Sequence, residues 1–399
     1  DGVFSHTGSD SRYFNMYNNY KEIGAYQSLK SPYYRWYRFS DYPNLYDCWW
    51  GFGNMPNVDE LNPSYLEYII SGKNSIVKRW IRAGASGWRL DVADELPDEF
   101  IKLLKQSIRE EKSDTVLIGE VWEDASNKMS YSKKREYLFG YELDSITNYP
   151  LRQLIIEYSK KQISSEYFIK RYKSLLENYP RENFFSTMNM LGTHDTERIL
   201  TILEGKIEQL KIAVLLQMTL PGVPLIYYGD EAGVTGSKDP DCRRSYPWGN
   251  EDTSLISFYE SIGTIRKENK DLFSHGDLTT LYTGDEGVYV YGRSYKDNHA
   301  VVAINPTNTD AKVTVDLKEF TGNGTNFTDG LDSSYNVTVK DGKVEITIPA
   351  MTGRMMTSTN VIKVPEAVKN VIGTEGNGQV TLKWDSVKEA KEYKVYSSS

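Results

Sequence analysis

Only two cysteines, Cys48 and Cys242, occur in 399 residues, too few for a disulfide framework and too far apart for a thiolate metal motif. Histidine is nearly as scarce, with four. There is no basic block, and a net charge of −8 excludes a nucleic-acid binder held by bulk charge. Long apolar runs are missing as well. The one uncharged stretch near membrane-spanning length, residues 212–229, is broken by Gln217, Pro221, Gly222 and Pro224, so it reads as a helix end, a turn and a buried strand, with no membrane span. The chain opens on Asp1-Gly2-Val3-Phe4 with neither a methionine nor a signal-type apolar segment, and so reads as cut from a longer protein. What it does have is rings: 30 Tyr, 13 Phe and 8 Trp. With 39 % hydrophobic residues they exclude disorder and supply core for two or three domains.

Short apolar runs ending in an acidic residue recur and alternate with helical patterns. They are Trp88-Arg89-Leu90-Asp91, Val116-Leu117-Ile118-Gly119-Glu120, Met188 to His194-Asp195, and Pro224 to Asp230-Glu231, with helical spacing over residues 99–111 and 206–217. Tyr141-Glu142-Leu143-Asp144 is the expected strand in the long middle gap. With Asp1-Gly2-Val3-Phe4 as the earliest strand, steps of about 35 residues fit six of the eight units of a (β/α)8 TIM barrel. The expected class is therefore α/β, an N-terminally truncated barrel over residues 1–275. An open barrel exposes unpaired sheet edges, so the chain alone is expected to aggregate or stay partly unfolded. An inserted subdomain at about 5–62 is crowded with Tyr33, Tyr34, Trp36, Tyr37, Phe39, Tyr42, Tyr46, Trp49, Trp50 and Phe52. Each ring taken alone is as readily core as binding surface, but the insertion as a whole is expected to wall a cleft.

From about residue 276 the runs become short, β-branched and separated by Gly, Asn and Asp turns: 288–291, 299–304, 312–315, 335–338 and 344–348. They predict an antiparallel β-sandwich over 276–360. A linker at 361–365 precedes a partial β module over 365–399, with strands expected at 379–384 and 393–396.

In a parallel barrel the carboxyl ends of the strands share one mouth, so Asp91, Glu120 and Asp195 are expected to converge. Three carboxylates there suit a divalent-metal site or glycosidic cleavage. Arg89, two residues before Asp91, faces the same side of its strand and can hold that carboxylate ionised. Apolar neighbours of Glu120 favour its protonated form, as an acid catalyst requires. His6 and His194 stand at strand ends, where neutral imidazoles can hydrogen-bond sugar hydroxyls while rings stack on pyranose faces.

Four segments in register resemble the motifs of the α-amylase superfamily, glycoside hydrolase family thirteen: Asp1-Gly2-Val3-Phe4-Ser5-His6, Gly87-Trp88-Arg89-Leu90-Asp91, Gly119-Glu120-Val121-Trp122 and Leu191-Gly192-Thr193-His194-Asp195. The resemblance covers about residues 1–360 and is finest to neopullulanase, cyclomaltodextrinase and amylopullulanase-like members, through Gly87 to Ala93 and Tyr227 to Arg244. It implies that Asp91 is the nucleophile, Glu120 the acid and then the base, and Asp195 a binder of sugar hydroxyls, with His6, Arg89 and His194 in the same subsite. It also implies that Asp241 and Arg243 contact sugars one or two units away and that Trp122 borders the acceptor side. The expected activity is retaining, endo-acting hydrolysis of α-1,4 bonds, with α-1,6 bonds left open, in pullulan, starch or maltodextrins. The alternatives are a cyclomaltodextrinase, a 4-α-glucanotransferase and a non-catalytic glucan-binding or partner-binding relative. No cofactor is required for that chemistry. Ser5 stands where many members have an Asn that supports calcium, so a structural calcium is left open. Asp94 replaces a frequent Asn and adds a negative charge near the mouth. The final module resembles the start of a fibronectin type III domain, which implies an extracellular or cell-surface enzyme. Oligomeric state is left open.

Overall fold

The computed structural model describes residues 1–284, 286–358, 368–387, 390, 393 and 395. The first half is a run of parallel strands joined by helices. Helix α1 (Ile76–Arg82) leads into β1 (Gly87–Leu90), and α2 (Asp98–Glu111) leads into β2 (Val116–Gly119). Then come β3 (Ser145–Ile146), α3 (Tyr149–Ser159), α4 (Ser165–Asn178), β4 (Met188–Met190), α5 (Ile207–Thr219), β5 (Val223–Leu225) and α6 (Thr253–Glu268). Gly2 bridges Leu90, β1 pairs with β2, β2 with β3, Thr147 bridges Met188, and β4 pairs with β5, all parallel. This places six parallel positions side by side in chain order, with the expected helices between them.

Helix α2 shows why these segments fold as they do. Asp98 and Glu99 lie in its first turn and Arg109 in its last, complementing the helix dipole. Phe100, Ile101, Leu104 and Ile108 form the buried stripe that packs it on the strands.

Two strands differ from the sequence expectation. Tyr141–Asp144 is a loop with Tyr141 exposed, and the strand in that gap is Ser145–Ile146. The last apolar run pairs only at Val223–Leu225, and Tyr227-Tyr228 already belongs to the loop that follows.

The two strands that lead to Asp91 and Glu120 pack closely at their opposite, N-terminal ends. A Cβ added at Gly87 would lie 1.9 Å from the Val116 carbonyl oxygen, its partner in the ladder. Gly87→Ala is therefore expected to destabilise the fold by about 1–3 kcal/mol, as overpacking does, read as a lower urea midpoint at unchanged slope.

The second half is antiparallel. It comprises β6 (Asp277–Thr283), β7 (Tyr289–Tyr295), β8 (Asn298–Asn305), β9 (Ala311–Asp316), β10 (Asn326–Asp329), β11 (Asn336–Thr338), β12 (Lys343–Ile348) and β13 (Thr352–Ser358). Six of them form one sheet in the order β6-β7-β8-β13-β10-β11, and β9 pairs with β12 in a second. Strand β12 alternates exposed and buried residues along its length, placing Val344, Ile346 and Ile348 in the core between the sheets. An exposed hairpin follows, β14 (Ile372–Gly376) with β15 (Gln379–Lys383). The expected linker at 361–365, and residues 394 and 396 of the expected last strand, lie outside the described residues.

The two halves meet at α5, whose residues Ile212–Thr219 are all buried. Leu215 packs over the bare backbone of Gly353 in β13, where an added Cβ would come within 2.3 Å of it. Tyr158 donates to the Gly287 carbonyl at 2.7 Å. Arg293 of β7 is fully buried and bonds the Thr219 and Gly276 carbonyls. The long uncharged run is thus the buried second half of α5, then a turn and the short strand β5, whose Val223 is half exposed where a buried strand was expected. Among the described residues no helix is long and apolar enough to cross a membrane.

Candidate active site

Strand β1 ends at Leu90, so Asp91 emerges at the mouth with Arg89 two residues behind it. Arg89 does more than the sequence implies. Its Nη1 donates to Asp91 Oδ1 at 2.7 Å and to Asp1 Oδ1 at 3.0 Å, while its Nη2 lies 3.0 Å from Glu120 Oε1. One guanidinium therefore bridges two carboxylates that are 29 residues apart in the chain, which fixes Asp91 and Glu120 side by side.

Glu120, just past β2, is 3 % exposed. Its surroundings are not merely apolar. The Val92 N–H donates to Oε2 at 2.9 Å, and the Trp122 indole N–H donates to Oε1 at 3.2 Å. Burial nevertheless pushes its pKa above the usual carboxylate range. Arg89 and the Val92 N–H pull the other way, and the charges of Asp91 and Asp195 add to the rise. Val92 is held at φ 40°, ψ 63°, a left-handed conformation unfavourable for a β-branched residue. That turn aims its N–H at Glu120, a feature with no signature in the sequence.

Asp195 follows β4. His194 Nε2 lies 3.1 Å from its Oδ2, and Arg243 Nη2 donates to Oδ1 at 3.1 Å. Arg243 also donates from Nε to the His194 carbonyl at 3.0 Å. Behind this corner Arg198, completely buried, ties the Cys242 and Tyr228 carbonyls to Asp230. Burial pushes Asp230 up to about 7 against that cation. Trp122 lies flat on Tyr149, with ring centroids 3.9 Å apart and planes 8° from parallel.

One cavity of about 790 Å³ collects Asp91, Glu120, Asp195, His6, Trp122, His194 and Arg243. Arg89 is not part of the cavity lining but bonds Asp91 and Glu120. His6 rests near Trp49, and burial lowers its pKa against the pull of Asp91 and Glu95, which favours the neutral ring.

Two residues sit differently from the sequence expectation. Asp241 does not line the cavity: its carboxylate caps the Ser237 N–H at 2.6 Å and pairs with Arg244, and Asp239 faces the cleft instead. Asp94 lines the mouth as a paired carboxylate: Lys128 Nζ, which it shares with Glu123, sits 2.8 Å away, and Tyr137 donates to it at 2.6 Å. Most rings of the insertion form a small core of their own around Phe14 and Trp36, whereas Trp49 and Trp50 face the cleft. Trp50, Glu95, Tyr131 and Asp239 line the cavity without having been singled out as site residues.

At the position of the calcium-supporting Asn, the Ser5 hydroxyl lies 3.0 Å from His6 Nδ1. Among the described residues no group of three or more His, Cys, Asp or Glu is placed to hold a metal ion.

Comparison with known proteins agrees with this geometry. Residues 1–272 match the family description "Alpha amylase, catalytic domain", and residues 276–356 match "Alpha-amylase C-terminal domain". The whole chain is 38 % identical to an amylopullulanase of Thermoanaerobacterium saccharolyticum, and 81 % of it is 32 % identical to a cyclomaltodextrinase of Thermoanaerobacter pseudethanolicus, covering 54 % of that enzyme. The crystal structure of a Nostoc punctiforme debranching enzyme superposes on 89 % of the chain and 74 % of its own length, with a TM-score of 0.75 and 25 % identity. The chain spans 35 % and 24 % of the two amylopullulanases from Thermoanaerobacterium that it matches.

Proposed function

The chain belongs to the α-amylase family, shown by the match of residues 1–272 to its catalytic domain, and from that premise we propose that it is the catalytic part of a retaining, endo-acting α-glucan hydrolase. The observation that carries this reading is the single Arg89 guanidinium shared by Asp91 and Glu120, with Asp195 on the same cleft.

Glu120, whose protonated form burial favours, donates its proton to the glycosidic oxygen while Asp91 attacks the anomeric carbon. The bond to the leaving sugar breaks and a covalent glycosyl-enzyme forms. Glu120, now ionised, takes a proton from water, whose oxygen displaces Asp91. Two inversions at one carbon retain its configuration. Arg89 favours the ionised nucleophile and steadies the carboxylate that Glu120 becomes after giving up its proton. Asp195, oriented by His194 and Arg243, binds sugar hydroxyls and favours the oxocarbenium-like transition state.

The substrate proposed is pullulan, starch or maltodextrin cut at α-1,4 bonds. Trp122, 45 % exposed beside Glu120, supports a second reading, in which a sugar hydroxyl competes with water and the enzyme transfers as well as hydrolyses. The fibronectin-like module favours an extracellular or cell-surface location. Pullulan digestion by the whole enzyme tests the reading. Panose or maltotriose as the product selects the bond type, and absence of cleavage of pullulan, starch and maltodextrin alike sinks the proposal.

A further inference from the structure

Two rings stand out from the cleft wall where solvent would not place them. Trp50 is 76 % exposed and Tyr131 is 74 % exposed. Both also sit at positive φ, 49° and 50°, which is unfavourable for bulky residues and concentrates at functional positions. They come from unrelated segments: Trp50 from the aromatic insertion and Tyr131 from the tip of the 129–134 hairpin.

One carboxylate holds them both. Glu95, in the turn after the Asp91 strand, accepts the Trp50 indole N–H on Oε1 at 3.4 Å and the Tyr131 hydroxyl on Oε2. Trp50 lies along Trp49 at 5.5 Å and 29°, and Trp49 in turn tilts against His6 at 5.6 Å. A series of rings therefore runs outward from the reaction corner, in the same cavity as Asp91, Glu120 and Asp195.

A pyranose offers apolar C–H faces to rings and a rim of hydroxyls to a carboxylate, and this arrangement presents both. We propose that Glu95 clamps Trp50 and Tyr131 into a distal subsite that grips a glucose unit away from the cleaved bond, so that longer α-glucan chains bind more tightly. The inference rests on the hydrolase reading and adds chain-length preference to it.

Kinetics on maltotriose and maltoheptaose separate the two ideas. Trp50→Ala is expected to raise KM for maltoheptaose about tenfold more than KM for maltotriose, the scale of one lost stacking contact. Glu95→Gln leaves one acceptor oxygen for two donors and is expected to show the same length dependence to a smaller degree. A merely structural role would shift the thermal midpoint and both KM values alike. Equal changes at the two lengths, or none, overturn the clamp. If the unaltered enzyme cleaves neither oligosaccharide, calorimetric titration with maltoheptaose decides the clamp, and the hydrolase reading falls only if pullulan and starch also go uncut. Binding about tenfold weaker to the Trp50→Ala variant supports it, while equal binding, or none to the unaltered enzyme, overturns it.

Discussion

Asp91→Asn is expected to lower kcat/KM on maltodextrin by at least about 10²-fold, with the thermal midpoint close to that of the unaltered enzyme. The substitution is nearly isosteric, and the amide oxygen can still accept the 2.7 Å bond from Arg89, so β1 keeps its place. What disappears is the anionic oxygen that bonds to the anomeric carbon, and no neighbour replaces it: Asp195 is engaged by His194 and Arg243, and Glu120 must hold its proton for the leaving sugar. Mass spectrometry of enzyme treated with a slowly released fluorinated glycosyl donor should find the covalent adduct in the unaltered chain and not in the variant. Activity within tenfold of the original would remove Asp91 from its role.

Glu120→Gln should cost a similar factor, at least about 10²-fold on substrates with a sugar leaving group, and much less on aryl glycosides, whose leaving groups depart without a proton. The pH profile carries the signature. An acid catalyst works protonated, and burial sets the Glu120 pKa above the usual carboxylate range. The unaltered enzyme should therefore hold its activity to higher pH than an ordinary carboxylic acid would allow, then decline as pH rises through that raised value. In the Gln variant this decline should vanish. Stability follows the same linkage. A raised folded-state pKa contributes stability that is present below the unfolded pKa and lost as pH rises through the folded one. The uncharged amide avoids that loss, so the variant should melt higher at neutral pH, with the difference shrinking in acid.

The parts of this site that the sequence announced are those fixed by local pattern. Asp91, Glu120 and Asp195 end apolar runs, and a parallel strand delivers whatever follows it to one mouth. Arg89 was legible as a partner of Asp91 because residues two apart share a strand face. Its second bond, to Glu120, depends on how β1 and β2 lie together and has no trace in spacing. Strands of two or three residues carry too little alternation to be located, so β3 was placed a few residues early and β5 was extended into Tyr227-Tyr228. In the sandwich, Val344–Ile348 was plain because it alternates over a full strand. Asp241 and Asp239 show another limit. They are two residues apart around a short 3-10 turn (Asp241–Arg243), and motif similarity cannot say which carboxylate that turn aims inward. The Glu95 pairings with Trp50 and Tyr131 are purely tertiary, as is the Lys128 bridge to Asp94.

The seam at α5 makes the two halves inseparable in practice. Stripping away the sandwich would bare Leu215 and its neighbours to water and strand the carbonyls that Arg293 now satisfies. Anyone shortening this chain should cut beyond Ser358, because a shorter version would carry a sticky helix on its outside and precipitate before it could be assayed.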